Sequence, residues 1–197
     1  MGRTGTRLRT LILGAALLGV MPEAFYAQEF HLGSSVSEFT LRDMNGGWVN
    51  YSAFKGTVTV VIFFSTRCPM SNAFNYRRNT LYNDFKGRVK FIVVDSNSNE
   101  ALEEVREYAR AVDFDFRVYK DVNNVVADRF GVQITTDTFV LDSSGVIRYH
   151  GYIEDSPNPT RAKKQGLRLA IEAVLEGKPV AIPETKTLGC ALRRVQP

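Results

Sequence analysis

Cys68 follows a run of β-branched and aromatic residues, 58–64, and directly precedes Pro69. A run without alternation is typical of a strand buried on both faces, whereas proline is favoured at the first position of a helix and interrupts a sheet. Cys68 is therefore predicted on the N-terminal turn of a helix, at the carboxyl end of a central strand. Unpaired N–H groups and the helix dipole stabilise an anion there, and the anion of a cysteine is its reactive thiolate.

The side chains around Cys68 suit a thiolate. Arg67 adds a cation next to it, and Ser65 and Thr66 add hydroxyl donors. We predict that these three residues stabilise the thiolate. Ser71 either lies on the helix surface or donates its hydroxyl to the sulfur. The alternative for Cys68 itself is a buried structural cysteine, but its polar neighbours favour a reactive one.

Cys190, the second of two cysteines, lies in the C-terminal tail. It could be a resolving thiol that attacks the sulfenic acid of Cys68 and forms a disulfide. It could instead form a permanent disulfide with Cys68, which would stabilise the fold by roughly 4–5 kcal/mol in the chain-entropy model. A third alternative leaves both thiols free, with Cys190 pairing between chains. The first two alternatives differ in reduction potential, which the residues alone do not reveal.

The segments that must position these cysteines alternate between strand and helix patterns. Asn45-Gly46 supplies the turn of a first hairpin, and Asn97 with Glu100 resembles a capping box that opens a helix. The predicted strands and hairpins are a hairpin over 39–51, strands at 58–64, 89–95 and 116–119, and a hairpin over 138–149. The predicted helices run from Pro69 to near Gly87, from Asn97 to Val112, from Asn123 to Phe130 and over about 160–176. This order predicts an α/β fold, a mixed sheet with helices on both faces.

Composition is that of one globular domain. Of 197 residues, 44% are apolar and 23% are charged, which suffices for a full hydrophobic core. The formal charge of +4 owes much to three N-terminal arginines, and from Gln28 onward 22 basic residues face 20 acidic ones. A balance this even gives no case for a nucleic-acid or membrane-surface partner.

Residues 1–27 have the pattern of a secretory signal peptide. Three arginines precede an apolar run over 11–20, which is too short to span a bilayer comfortably. Cleavage is expected after Ala27 or near Ala24, and an uncleaved N-terminal anchor is the alternative; only then would the chain contact a membrane. Either way we expect a periplasmic or secreted domain, in which a disulfide can persist.

Four segments together resemble a known family. They are Phe39-Thr-Leu-Arg-Asp43 with Gly46, Phe63-Phe64 with Cys68-Pro69, Phe139-Val-Leu-Asp142 with Gly145 and Tyr149 to Asp155, and the tail Gly177-Lys-Pro-Val180, Pro183-Glu-Thr185 and Gly189-Cys190. The order of elements resembles the thioredoxin fold. More narrowly, the segments resemble the peroxiredoxin-like branch of the alkyl hydroperoxide reductase/thiol-specific antioxidant group, the redoxins. The resemblance implies a redoxin domain over 33–177, with an N-terminal hairpin, and a tail over 178–197 that carries Cys190.

The chain departs from the patterns of thioredoxins and peroxiredoxins at three places. Ser71 stands where thioredoxins have the second cysteine of Cys-x-x-Cys. Thr136 stands where a cis-proline usually faces the thiol, and a non-proline cis bond costs about 3 kcal/mol. Val61 and Ser65 stand where peroxiredoxins place the proline and threonine before their peroxide-reactive cysteine. Ser65 can still supply a hydroxyl.

The resemblance implies a thiol oxidoreductase that needs no cofactor and no metal. Cys68 would attack a peroxide or a protein disulfide, Cys190 would resolve the product, and a thiol electron donor would restore both. Ser71, Thr135 and Thr136 are the expected substrate-binding residues. An alternative from another class is a redox-silent binding domain held by a static Cys68–Cys190 bond.

Other polar residues receive more ordinary interpretations. Arg77 and Arg78 are expected on the helix surface, where they could shape the entrance to the thiol. Asp95 and Glu154 are expected to be turn and rim carboxylates, and His150 has too few soft ligands nearby for a metal site.

Overall fold

The computed structural model describes residues 1–2, 30–51 and 56–196. The predicted signal segment lies almost wholly outside the described residues. The strands of the described part are β1 Thr40–Asp43, β2 Trp48–Asn50, β3 Val58–Phe64, β4 Val89–Asp95, β5 Val118–Lys120, β6 Thr138–Leu141 and β7 Ile147–Gly151. They form one seven-stranded sheet in the order β2-β1-β5-β4-β3-β6-β7.

Helices cover both faces of this sheet. They are α1 Pro69–Asn72, α2 Asn75–Phe85, α3 Leu102–Ala111, α4 Val125–Arg129 and α5 Gly166–Leu175, with a 3-10 turn at Val122–Asn124. The prediction of an α/β fold with a mixed, helix-covered sheet is confirmed.

Strand β3 is the centre of the fold because it is hydrogen-bonded along both edges. It pairs parallel with β4 and antiparallel with β6, and all seven of its residues are buried. Val61 and Phe63 enter the core on one face of the sheet, whereas Val60 and Ile62 enter the core on the other. The predicted two-sided burial of this strand is confirmed, and it fixes the position of Cys68 just beyond the strand's end.

Both predicted hairpins are present. Strands β1 and β2 pair antiparallel across a turn in which Gly46 adopts a φ of +87°, a conformation that glycine reaches without steric cost. Strands β6 and β7 pair in the same way around Gly145. The sheet therefore ends in an antiparallel hairpin on each side.

Three predicted helix boundaries are wrong. The first helix is interrupted at Phe74, so α1 and α2 are separate. The capping box at Asn97 and Glu100 does not exist, because α3 begins after Ala101 and both side chains are drawn into the loops near Cys68. The last helix begins at Gly166 rather than near 160 because Asp155 accepts the N–H groups of residues 163 and 164 and holds that segment in a turn.

The C-terminal tail is part of the folded core. Leu192 is only 7% exposed and packs in the same cluster as Phe130 and Phe139. The backbone N–H of His150 donates to Pro183, and that of Thr185 donates back to His150. The tail thus runs along β7 before it reaches the end of β3.

Candidate functional site

Cys68 lies where its sequence context predicts. It caps the N-terminus of α1 in an extended conformation, with φ −87° and ψ 114°, and Pro69 is the first helical residue. The backbone N–H of Ser71 donates to its sulfur at 3.5 Å. At 3% exposure, Cys68 is almost completely buried.

Cys68 and Cys190 form a disulfide with their Cα atoms 6.0 Å apart. The resolving-thiol and the structural-disulfide interpretations of Cys190 both predict this bond, whereas the alternative with two free thiols does not. Cys190 is less buried than Cys68. In the oxidised protein, Cys190 is therefore the more exposed residue of the pair.

The tail around Cys190 is held by backbone hydrogen bonds to the segment before β6. Thr135 donates its N–H to the carbonyl of Cys190 at 2.9 Å, and Leu192 donates to the carbonyl of Gln133 at 2.8 Å. Between them, Ile134 and Ala191 form an antiparallel bridge. The predicted substrate-binding residue Thr135 thus contacts the chain's own tail.

Thr136 holds the tail at Leu188, two residues before Cys190. Its hydroxyl donates to the carbonyl of Leu188 at 2.6 Å. A Cβ at Gly189 would lie 2.7 Å from Ile134 Cγ2 and 2.8 Å from Thr136 Oγ1, so glycine permits this close approach. The peptide bonds of the described residues are all trans, including those at Thr136.

The loop that carries Cys68 is organised by Glu100, a residue that sequence reasoning placed in a helix cap. The Ser65 hydroxyl donates to one carboxylate oxygen of Glu100. The N–H and hydroxyl of Thr66 donate to the other at 2.6 and 2.7 Å. Ser65 Oγ in turn accepts the N–H of Cys68 at 3.1 Å. The Ser65 and Thr66 hydroxyls therefore fix the loop conformation, and their contact with the thiolate stays a prediction.

Burial raises the pKa of Glu100, but its interaction with Asp95 and the hydrogen bonds donated by Ser65 and Thr66 outweigh burial and hold its pKa below the usual value. Burial raises the pKa of Asp95 well above its usual value, although Lys120 opposes this shift. Asp95 is 0% exposed and accepts the N–H of Asn97 at 3.2 Å, as the predicted turn carboxylate would; it also forms a buried ion pair with Lys120 behind the site.

Arg67 lies at the surface and forms a two-pronged ion pair with Glu104. Its Nε and a terminal nitrogen each lie 2.6 Å from a Glu104 carboxylate oxygen. The hydrogen bond with Glu104 raises the pKa of Arg67. The cation predicted to assist the thiolate is thus shared with a carboxylate, and its role stays a prediction.

Ser71 and Arg78 do not lie on the helix surface, where sequence analysis placed Arg78 and, as one alternative, Ser71: both are 0% exposed. Ser71 Oγ accepts the N–H of Ser65 at 3.1 Å and a guanidinium N–H of Arg78 at 2.9 Å. A pattern in the sequence does indicate the burial of Arg78: it falls between Phe74 and Leu81 on the apolar stripe of the helix. Arg77 is only partly exposed, and its side chain, 11% exposed, pairs with Glu154 at 2.7 Å.

Nothing in the described part of the chain groups three His, Cys, Asp or Glu side chains in a way that could hold a metal ion. His150 stacks on Phe139 with ring centroids 4.4 Å apart.

Replacing Glu100 should loosen the loop. In Glu100→Gln one carboxylate oxygen becomes an amide donor, which leaves a buried N–H or hydroxyl without an acceptor, and we expect the free energy of unfolding to fall by about 2–3 kcal/mol. Urea unfolding monitored by circular dichroism measures the loss. The exposed residue Glu107 on α3 provides the matched control, because Glu107→Gln should change stability by less than about 0.5 kcal/mol.

Comparison with known proteins gives one family. The model of the AhpC/TSA family matches residues 32–150. Chloroplastic peroxiredoxin Q of Oryza sativa is 32% identical over 127 residues, which cover 59% of this chain and 57% of that protein. The thiol-disulfide oxidoreductase ResA of Bacillus cereus is 24% identical over 141 residues, 70% of this chain and 80% of that protein.

Solved structures give the same fold. The crystal structure of a hypothetical protein from Sinorhizobium meliloti superposes with a TM-score of 0.77 at 27% identity, covering 86% of this chain and 98% of that one. A thioredoxin-like protein in its oxidised form superposes with a TM-score of 0.53 at 17% identity, covering 62% and 80%. The predicted thioredoxin-like fold and the family resemblance are thereby confirmed.

Proposed function

The chain belongs to the AhpC/TSA family, and from that premise we propose that it is an extracytoplasmic thiol peroxidase with Cys68 as nucleophile and Cys190 as resolving thiol. One observation carries the proposal. Cys68 lies at a helix N-terminus at the end of the central strand, already bonded to a cysteine that the tail holds in place. Peroxiredoxin Q covers only part of this chain, so the activity rests on this geometry.

The cycle passes two electrons from a thiol donor through the protein to the peroxide. The Cys68 thiolate attacks one peroxide oxygen, the O–O bond breaks, and the leaving oxygen departs as water or an alcohol after taking a proton. Cys68 is then a sulfenic acid. The Cys190 thiol attacks its sulfur, the S–S bond forms, and water leaves. A thiol donor reduces the disulfide and is itself oxidised to a disulfide.

The tail supports the second step. Hydrogen bonds from Thr135 and Thr136 hold residues 188–190 beside Cys68. Resolution therefore needs no long search by a free terminus. Cys68 is 3% exposed while it is bonded to Cys190, so the peroxide reaches the thiolate only after reduction has removed the covalent link.

A second function, disulfide exchange with a protein partner, is favoured by one feature. Ile134 and its neighbours bind the tail as an extended strand through backbone hydrogen bonds. A cysteine-containing peptide in the same extended conformation could make the same bonds once the tail has left. In that cycle Cys68 forms a mixed disulfide with the peptide, and Cys190 releases it.

The extracytoplasmic location rests on the N-terminal pattern over 1–27. Within the described residues no helix is long and apolar enough to span a bilayer.

The two functions are separated by one experiment on the fully reduced protein. One equivalent of hydrogen peroxide is added, thiol loss is followed by stopped flow, and disulfides are mapped by mass spectrometry. A peroxidase consumes peroxide far faster than free cysteine does and accumulates the Cys68–Cys190 bond. If peroxide reacts no faster than with free cysteine while an oxidised model protein is reduced rapidly, disulfide exchange replaces peroxidase as the function. If both substrates react slowly, both proposals fail.

A further inference from the structure

Arg78 is an arginine in an unusual setting. It lies on α2, is 0% exposed, and is among the largest fully buried side chains of the described chain. Its guanidinium lies over the ring of Phe64, 5.8 Å from the centroid. A buried cation is costly unless an anion or enough acceptors compensate for the lost water.

The acceptors that Arg78 finds are all uncharged. Its nitrogens donate to Ser71 O and Ser71 Oγ, both at 2.9 Å, and to Asn75 Oδ1 at 2.8 Å. Its Nε is buried without a partner. No carboxylate in the part of the chain that the structure describes forms an ion pair with it. Among the described residues, this buried positive charge of the oxidised protein therefore lacks a counterion.

Ser71 links this charge to the sulfur of Cys68. The backbone N–H of Ser71 donates to Cys68 Sγ at 3.5 Å, while its hydroxyl and carbonyl oxygens both accept from Arg78. Ser71 is itself 0% exposed, so no solvent screens the link. Cys68 is also the place where a negative charge develops when the disulfide is reduced.

We propose that Arg78 is a positioning residue that stabilises the Cys68 thiolate through Ser71 and so makes the Cys68–Cys190 disulfide easy to reduce. The inference deepens the proposed function and rests on it, because it assigns the counterion of the same thiolate. Arg67, the cation next to Cys68 in sequence, is turned to the surface and paired with Glu104.

The positive charge of Arg78 favours reduction of the disulfide, because reduction creates a negative charge on Cys68. Reduction takes two electrons and one proton and converts the disulfide into the Cys68 thiolate and the Cys190 thiol, while a dithiol donor is oxidised to a disulfide and releases the protons. Only the reduced state gives Arg78 an anion. Stabilising the reduced state makes a disulfide a stronger oxidant. Burial lowers the pKa of Arg78 to about 9 in the oxidised protein, which agrees with a charge that lacks its counterion.

The test removes the charge of Arg78 and measures the reactivity of the Cys68 thiol. Arg78→Gln keeps a hydrogen-bonding side chain but no charge, Arg78→Lys keeps the charge, and Arg77→Gln removes a neighbouring arginine whose charge is paired with Glu154. For each reduced protein, the rate of Cys68 alkylation by iodoacetamide is measured against pH, with mass spectrometry identifying the residue. The equilibrium constant with glutathione is measured on the same samples.

Arg78→Gln is expected to raise the midpoint of the Cys68 profile by about one pH unit, because it removes the positive charge that Ser71 links to the sulfur. The equilibrium with glutathione should shift about tenfold toward the disulfide, or about 30 mV. Arg78→Lys should keep most of the effect, and Arg77→Gln should leave both values unchanged.

An unchanged midpoint in folded Arg78→Gln would overturn the inference. If that variant does not fold, the wild-type profile decides: a midpoint at or above about 8.5, the value of an ordinary cysteine, overturns it, and a midpoint well below supports it. The proposed function fails separately, through slow turnover of both substrates. A shifted midpoint with slow turnover would therefore support the role of Arg78 and reject the function.

Discussion

Cys68→Ser is expected to abolish multiple turnover with peroxide, a loss of about a thousandfold or more relative to the wild type. The thiolate is the atom that attacks, and removing a nucleophile leaves only the background reaction. Cys190→Ser retains the nucleophile but lacks the resolving thiol. It should consume one equivalent of peroxide at close to the wild-type rate and then stop, with a sulfenic acid on Cys68 that mass spectrometry detects after dimedone labelling.

The two variants control for each other, because each loses the same disulfide and hence the same cross-link. A difference in single-turnover rate between them therefore reports chemistry rather than stability. If both variants turn over repeatedly at equal rates, Cys68 and Cys190 do not have the assigned roles.

Reduction of the disulfide should destabilise the protein by only about 1–3 kcal/mol. The bond joins residues 122 positions apart, and the chain-entropy model gives about 5 kcal/mol for a loop of this length. A native state that stabilises the reduced thiolate must, by the thermodynamic cycle, gain less than this from the bond. Urea unfolding with and without reductant measures the difference.

The double variant Cys68→Ser/Cys190→Ser is the matched control, since it lacks both the cross-link and the thiolate. We expect its free energy of unfolding to lie about 2–4 kcal/mol below that of the reduced wild type, the part of the roughly 5 kcal/mol that reduction does not remove. A static structural disulfide gives another pattern, in which reduction costs about 5 kcal/mol and the reduced wild type and the double variant are equally stable.

The centre of this fold is predictable from local sequence because its signals are local. The apolar run at 58–64 is typical of a strand that is buried on both faces. Pro69 interrupts the strand pattern and is favoured at the first position of a helix. These two features are enough to place Cys68. The Asn45-Gly46 turn is predictable for the same reason, since few dipeptides adopt that conformation so readily.

The surroundings of Cys68 were less predictable because they depend on tertiary contacts. Asn97 and Glu100 have the spacing of a capping box, yet Glu100 binds the backbone and hydroxyl of Thr66, 34 positions earlier. Asn97 accepts the N–H of Arg193 from the tail. Nothing in the spacing of these residues distinguishes a local cap from a distant contact.

The burial of Arg78 is hard to predict for a different reason. Its place on the apolar stripe of the helix predicts burial, but arginine is almost never fully buried unless paired, so the residue type argues for the surface. In the structure Arg78 is buried, as its place on the stripe predicts, because Ser71 and Asn75 supply hydrogen-bond acceptors for its guanidinium. A charged residue at a core position is thus worth testing as a functional group. The domain boundaries at 33–177 and 178–197 stay predictions.

The reduction potential of the Cys68–Cys190 disulfide tests most directly whether this bond is a working redox centre. It is measured by equilibrating the protein with glutathione buffers of graded ratio and quantifying the bond by alkylation and mass spectrometry. A redox-active pair with a stabilised thiolate should have a potential between about −180 and −270 mV, the range from protein disulfide isomerase to thioredoxin. A potential below about −300 mV is that of a structural disulfide and would contradict the assignment of Cys68 and Cys190 as a catalytic pair.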